Sequence, residues 1–375
     1  MREPIEDRNL VDIQALISPR NLKAAVPSSE AASETVIEAR RAIRDVIHGR
    51  DATRLVVIVG PCSIHDPEAV VIVGPCSIHD PEAALGYAQR LRGIAKSTSD
   101  AMVVVMRAFF EKPRTTVGWK GLINDPRLDG SCDVAAGLEI ARRLLVEINE
   151  LGIPCGSEVL DPFTPQFVAD LLCWGGIGAR TSESQTHRQL ASGLSMPIGF
   201  KNGTDGVLEG AANAMVASSH SHTFLGITAD GASALVRTRG NPDRHIVLRG
   251  GEKGPNFAPE FVAEATGLIA KQGLARSVMV DCSHANSGKD HSRQGFVCRD
   301  VLDQIRVGNP AIMGLLLESN LESGRQNWQP GTELQHGVSI TDACIGWEET
   351  EKLLHEIAET VRFGQSPSER RATLS

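Results

Sequence analysis

Residues 153–201, IPCGSEVLDPFTPQFVADLLCWGGIGARTSESQTHRQLASGLSMPIGFK, hold three short apolar runs separated by two helix-like stretches. Ile153–Ser157 stops at Glu158, Gly175–Ala179 at Arg180 and Pro197–Phe200 at Lys201. Between them, Thr164–Cys173 and Gln185–Gly193 read as helices. Strand–helix alternation of this kind predicts a parallel sheet. The unit repeats in both directions. Upstream, Val70–Val73 leads to Cys76 and Met102–Met106 stops at Arg107. Downstream, His245–Leu248 stops at Arg249, Ser277–Cys282 leads to His284 and Ala311–Leu317 stops at Glu318.

Helices are predicted over Pro81–Lys96, with Asp80 as N-cap and proline in the first position, and over Asp133–Leu151, where apolar residues recur at helical spacing. Others are expected at Asp205–Ser219, Pro259–Gly273, Gly295–Val307 and Glu348–Phe363. Eight such units predict an α/β fold, a TIM (β/α)8 barrel, whose strand C-termini open on one shared mouth. Two decorations are expected: an N-terminal arm, residues 1–50, ending in a helix over Glu34–Gly49, and a β-hairpin inserted at 223–239 (Thr223–Ile227 and Ala234–Thr238). The barrel domain is placed at 51–366, with a flexible tail at 367–375.

Composition narrows the function. With 41% hydrophobic residues the chain can build a large core, and a net charge of -8 offers no global basic field for nucleic acid or an anionic membrane. No apolar stretch reaches membrane-spanning length, the charged start Met1–Asn9 is unlike a secretory signal, and the eight cysteines show no paired spacing. These features point to a cytoplasmic protein with reduced thiols.

One stretch breaks the pattern. VVIVGPCSIHDPEA, residues 56–69, recurs unchanged at 70–83. Only one copy is expected to fill a single barrel position, so the other must leave its Val-Val-Ile-Val outside the core, forgoing roughly 1.5–3 kcal/mol per side chain.

Four cations, Arg107, Arg180, Lys201 and Arg249, fall at strand ends, where they could bind an anion or pair with Glu158, Glu318 and Asp342. Their shared topological position favours anion binding. Cys62 or Cys76 with His284, Glu318 and Asp342 form a candidate site for one divalent metal ion, and thiolate with imidazole suits Zn, Mn, Fe or Co better than Mg. Taken alone, the cysteine reads equally as a small buried hydrophobe. Lys112-Pro113-Arg114-Thr115-Thr116 has the make-up of a phosphate-binding turn, and equally of a solvated loop. No GxGxxG, Walker-type or GxSxG motif is present.

The motifs GPCSIHDP, MRAFFEKPRTTVGWKGLINDP, GARTSESQTHRQLASGLSMPIGFKNGTDG, HIVLRGG, DCSHANSGK, LLLESNL and GVSITDACIGWE together resemble the type I 3-deoxy-D-arabino-heptulosonate-7-phosphate (DAHP) synthases, from about residue 30 to residue 363. The resemblance implies condensation of phosphoenolpyruvate with erythrose 4-phosphate, the first committed step of the shikimate pathway. It implies metal ligation by the GPCS cysteine, His284, Glu318 and Asp342, and a phosphoenolpyruvate pocket of Arg107, Glu158, Arg180, Lys201 and Arg249. Lys112, Arg114 and Thr115 would hold erythrose 4-phosphate, with Lys112 and His284 as the catalytic groups. Cys76 is preferred over Cys62, because the second copy keeps the strand–loop–helix junction Gly74–Ala83 intact.

The resemblance further implies small phosphorylated substrates, a homodimer or homotetramer, and an aromatic amino acid effector held near Pro165, Gln166, Leu194, Ser195, Phe224 and Gly226. Gly226 would leave space for the hydroxyl of tyrosine; it also reads as a strand glycine chosen for close packing. Two alternatives stand beside this reading: a 3-deoxy-octulosonate 8-phosphate synthase on the same fold, and a barrel disabled by the duplication.

Overall fold

The computed structural model describes residues 5–50, 56–57, 70–114, 117–274, 277–329 and 331–363. The tail expected at 367–375 lies outside them, as do Cys62 and Thr115. The strands are β1 (Val56–Val57), β2 (Val70–Gly74), β3 (Val103–Arg107), β4 (Cys155–Glu158), β5 (Trp174–Ile177), β6 (Ile198–Lys201), β7 (Thr223–Ile227), β8 (Ser233–Arg237), β9 (Arg244–Leu248), β10 (Val278–Asp281) and β11 (Ile312–Glu318). The helices are α1 (Pro19–Ala25), α2 (Glu30–Ile47), α3 (Pro81–Ser97), α4 (Val134–Glu150), α5 (Thr164–Val168), α6 (Gln185–Ala191), α7 (Glu209–Ser218), α8 (Pro259–Ile269), α9 (Gln294–Arg306) and α10 (Trp347–Phe363). Among them, no helix is long and apolar enough to cross a membrane.

Strands β2, β3, β4, β5, β6, β9, β10 and β11 pair in parallel in that order, and β11 closes on β2 through Leu317 opposite Val73 and Glu318 opposite Gly74. The predicted barrel is therefore present. Every residue of β11 is buried, as a strand covered on both faces must be. Inside the barrel Trp174 lies against Gly199, where a Cβ would come within 2.7 Å of its ring, and Trp174 Nε1 donates to His245 Nε2 at 3.2 Å. Only glycine admits an indole that close.

Local chemistry explains where elements begin and end. Asp80 accepts from Ala83 N at 3.0 Å and Asp133 from Ala136 N at 3.1 Å, each supplying an acceptor that a helix N-terminus lacks. The arm helix α2 starts four residues earlier than expected, because Ser29 Oγ caps it through Ala32 N. Helix α5 ends early and tightens into a 3-10 turn at Ala169–Leu171, where Arg40 of α2 donates to the Ala169 and Leu172 carbonyls at 2.6 and 2.9 Å. Asp205 does not open a helix; its carboxylate accepts from Val207 N at 3.0 Å in a turn, and α7 begins only at Glu209. The hairpin forms as expected, β7 antiparallel to β8. The short helix α1 was not foreseen.

The duplicated stretch departs from expectation. The second copy forms β2, pairing with β3 over Val70–Val73 but with β11 only at Val73–Gly74. Lower on β11, the first copy's Val56 and Val57 pair with Gly314 and Leu315. Continuing the β2 register down β11 would set Val70 opposite Gly314, the place taken by Val56, its counterpart 14 residues earlier. The two copies thus share one barrel position, the second holding the β3 side and the first the lower β11 side.

Candidate active site and metal centre

The strand ends bring the predicted residues to one cavity of about 670 Å³, lined among others by Cys76, Arg107, Lys112, Arg114, Glu158, Arg180, Lys201, Arg249, His284, Glu318 and Asp342. They arrive from all eight βα junctions, Arg107, Lys112 and Arg114 from the one after β3 and Glu318 and Asp342 from the one after β11, which is why residues up to 266 positions apart meet here. The sequence reading did not include Lys289, His291 and Arg325, which line the same mouth from the loops after β10 and β11.

Arg107, at the end of β3, is only 1% exposed. Its Nη2 lies 3.2 Å from Glu318 Oε1 and its guanidinium carbon 3.9 Å above the Phe109 ring. Nη1 is buried without a hydrogen-bond partner among the described residues. A buried guanidinium donor left over in this way suits an anionic ligand. Lys201 Nζ sits 3.1 Å from the wholly buried Asp281, while Arg249 is anchored by its own N–H on Asn202 Oδ1 at 2.8 Å. Burial lowers the Arg249 guanidinium from its usual value, with Arg180 adding to the effect against the pull of Asp281. Arg114 is exposed at the rim, against Gly118.

Ligand atoms of Cys76, Glu318 and Asp342 all lie within 4.8 Å of one another. The Lys112 ammonium stands among them, 2.7 Å from Cys76 Sγ and 2.8 Å from Asp342 Oδ2. A cation is therefore already held where these donors converge, and a thiol with two carboxylates fits a divalent ion. Burial, and then Glu318, push the Cys76 thiol up to about 12, so thiolate ligation there needs a cation beside it. Burial would raise Asp342, but the Lys112 charge outweighs it and holds the carboxyl below its usual range. His284 stands at the edge of this group, its Nε2 3.7 Å from Glu318 Oε1. Its backbone adopts φ 54°, a conformation uncommon for a non-glycine residue and found at functional sites.

Glu111, beside Lys112, is a further buried lining residue that sequence reasoning passed over. Burial, and next the Asp161 carboxylate, push it up to about 8, against an ordinary value of about 4.3. An acid raised on folding favours the native state below its unfolded value and loses that advantage as pH rises through its folded value. Glu111→Gln should therefore stabilise the protein at pH 9 by up to ~5 kcal/mol, since the rise spans nearly four tenfold steps in proton affinity, each worth about 1.4 kcal/mol, and hardly at pH 4.5. Urea melts at the two pH values check this; an equal gain at both would count against the buried neutral carboxyl.

A second cavity, of about 910 Å³, lies away from the mouth. Gln166, Leu194, Ser195, Phe224 and Gly226 line it, but Pro165 does not; it is buried in the first turn of α5, and Pro162 and Phe163 face the cavity instead. A Cβ on Gly226 would approach Val236 Cγ2 to 2.7 Å, so close cross-strand packing applies here as well. Arg44 and His48 of the arm were not foreseen; they reach Asp243 at the cavity wall at 2.7 and 2.8 Å.

Known proteins resemble the chain over nearly its whole length. The model of the DAHP synthetase I family matches residues 68–355. The Tyr-sensitive phospho-2-dehydro-3-deoxyheptonate aldolase of Escherichia coli K12 is 52% identical over 357 residues, covering 95% of this chain and 96% of its own. The Phe-sensitive enzyme of the same strain is 50% identical, covering 95% and 97%. A solved phospho-2-dehydro-3-deoxyheptonate aldolase from Francisella tularensis SCHU S4 superimposes with a TM-score of 0.88 at 43% identity, over 96% of this chain and all of that one. Fold, motif order and full-length likeness converge, and the chain belongs to the DAHP synthetase I family.

Proposed function

We propose that the chain condenses phosphoenolpyruvate with erythrose 4-phosphate and water to give DAHP and phosphate, the first step of aromatic biosynthesis. The observation that carries this reading is the convergence of strand-end cations on the same mouth as a Cys/Glu/Asp cluster, in a chain of this family. Arg107, Arg180, Lys201 and Arg249 orient the phosphate and carboxylate of phosphoenolpyruvate and offset its charge against that of the second substrate. Arg114 and Lys112 hold the aldose phosphate, with Thr115 completing the turn. Cys76, His284, Glu318 and Asp342 would hold one divalent ion, of Mn, Fe, Co or Zn. Bound there, such an ion supplies Lewis-acid stabilisation of charge on the aldehyde oxygen. Lys112, within reach of both substrates, and His284 are the groups placed to move protons as carbon 3 of phosphoenolpyruvate adds to the aldehyde and water enters at carbon 2.

The second cavity is the proposed aromatic amino acid site. Its Arg44–His48–Asp243 group supplies charges of both signs for an α-carboxylate and α-amine, and Phe224 and Leu194 an apolar wall. Tyrosine is the proposed effector, in keeping with the Tyr-sensitive relative. Steady-state turnover with both substrates, with and without EDTA, tests the reaction. Loss with EDTA and recovery on adding Mn²⁺ is expected, with erythrose 4-phosphate preferred to arabinose 5-phosphate and tyrosine inhibiting more than phenylalanine. No turnover in the metal-loaded protein would sink the reading.

A further inference from the structure

Asp281 ends β10 wholly buried, next to the proposed metal ligand His284 and the proposed phosphoenolpyruvate cation Lys201. Its Oδ2 lies 2.9 Å from His284 Nδ1 and 3.1 Å from Lys201 Nζ. These contacts have the distance of ion pairs but not the alignment of hydrogen bonds, for Oδ2 has no hydrogen-bond partner among the described residues. The bonded route runs through Ser283. Ser283 Oγ lies 2.5 Å from Asp281 Oδ1 and 2.7 Å from His284 Nδ1, and Ser283 N also bonds Oδ1 at 3.0 Å. A buried carboxylate accepts only, so the hydroxyl must donate to Asp281 and accept from the imidazole. That sequence sets the proton on Nδ1 and leaves Nε2 with its lone pair on the Glu318 side.

We propose that Asp281 is a positioning residue with two outlets: through Ser283 it fixes the His284 tautomer for metal binding, and through the ion pair of its Oδ2 it holds Lys201 in the phosphoenolpyruvate pocket. The inference rests on the reading of His284 as a metal ligand. One buried charge then serves both the cation and the anion of the reaction. It also explains the left-handed backbone of His284, which brings a ring three residues beyond the strand back over the carboxylate that ends it.

The test measures Mn²⁺ binding by equilibrium dialysis and phosphoenolpyruvate KM by turnover, on full-length protein whose folding is checked by thermal melting. Ser283→Ala should weaken Mn²⁺ binding by about 10-fold or more, the range typical of partners that orient a ligating histidine, and leave KM near that of the parent. Asp281→Asn should weaken Mn²⁺ by about 10–100-fold and raise KM as well, because Lys201 loses its counter-charge. If Asp281→Asn does not fold, Ser283→Ala decides. Unchanged Mn²⁺ binding in Ser283→Ala, while His284→Ala loses the metal, would overturn the proposal and leave the metal site standing. Unchanged binding in His284→Ala would remove the metal reading itself, and the proposal with it.

Discussion

Cys76→Ala is expected to abolish metal binding and turnover, whereas Cys62→Ala should keep most of both. The two cysteines sit in identical 14-residue contexts, so sequence environment alone cannot distinguish them. Position in the barrel does. Cys76 follows the strand that closes on β11, is 1% exposed, and lies with Glu318 and Asp342 in one ligand cluster. Removing its sulfur takes away a donor from the centre itself. The loss should therefore exceed the ~10–100-fold that partners behind the ligands command. His284→Ala should act in the same sense, with the fold retained, because the imidazole lies at the mouth and not in the apolar core. Metal content and turnover of the three variants decide the matter. An active Cys76→Ala beside an inactive Cys62→Ala would place the first copy at the mouth. Activity in both would mean that either copy can supply the ligand.

The barrel was legible because each strand is a short apolar run that ends where a charge begins, and because those ends belong together once the strands are parallel. The same logic located the cations, Glu318 and His284 before any distance was known. What escaped notice depends on partners far away in the chain. Glu111 reads as one more charge beside Lys112; its raised affinity for a proton comes first from burial and next from the Asp161 carboxylate, 50 positions on, neither of which its neighbours in sequence reveal. Arg44 and His48 look like the solvated face of an amphipathic helix, yet Asp243, nearly 200 residues later, draws them to a cavity wall. Asp281 and Ser283 were visible as part of a motif, but their role depends on hydrogen-bond direction. The start of α2 was missed because its cap, Ser29, precedes a first turn, Glu30–Ser33, whose only apolar residues are two alanines. The duplicated strand was misjudged for another reason: counting positions assumes that a strand is occupied whole, while pairing can be split between two neighbours.

Deleting residues 56–69 should stabilise the protein by roughly 2–5 kcal/mol, the value of burying one or two further aliphatic side chains. In the present chain β11 pairs with the first copy at Gly314–Leu315 and with the second at Leu317–Glu318. The lower half of β2 pairs with β3 but is not joined to β11. After the deletion Leu55 runs straight into Val70, and one continuous strand can pair with both neighbours in the register that Val73 and Leu317 already set. The apolar run of the second copy then fills the position alone. Loop entropy adds little, since halving a loop recovers only about 0.6 kcal/mol. Cys76 and the junction through Ala83 are untouched, so turnover should be maintained or improved. Urea unfolding of the deletion variant beside the parent gives the sign directly. A less stable variant would mean that Val56 and Val57 make barrel contacts that Val70 and Val71 cannot replace, and that the split strand is the better packed arrangement.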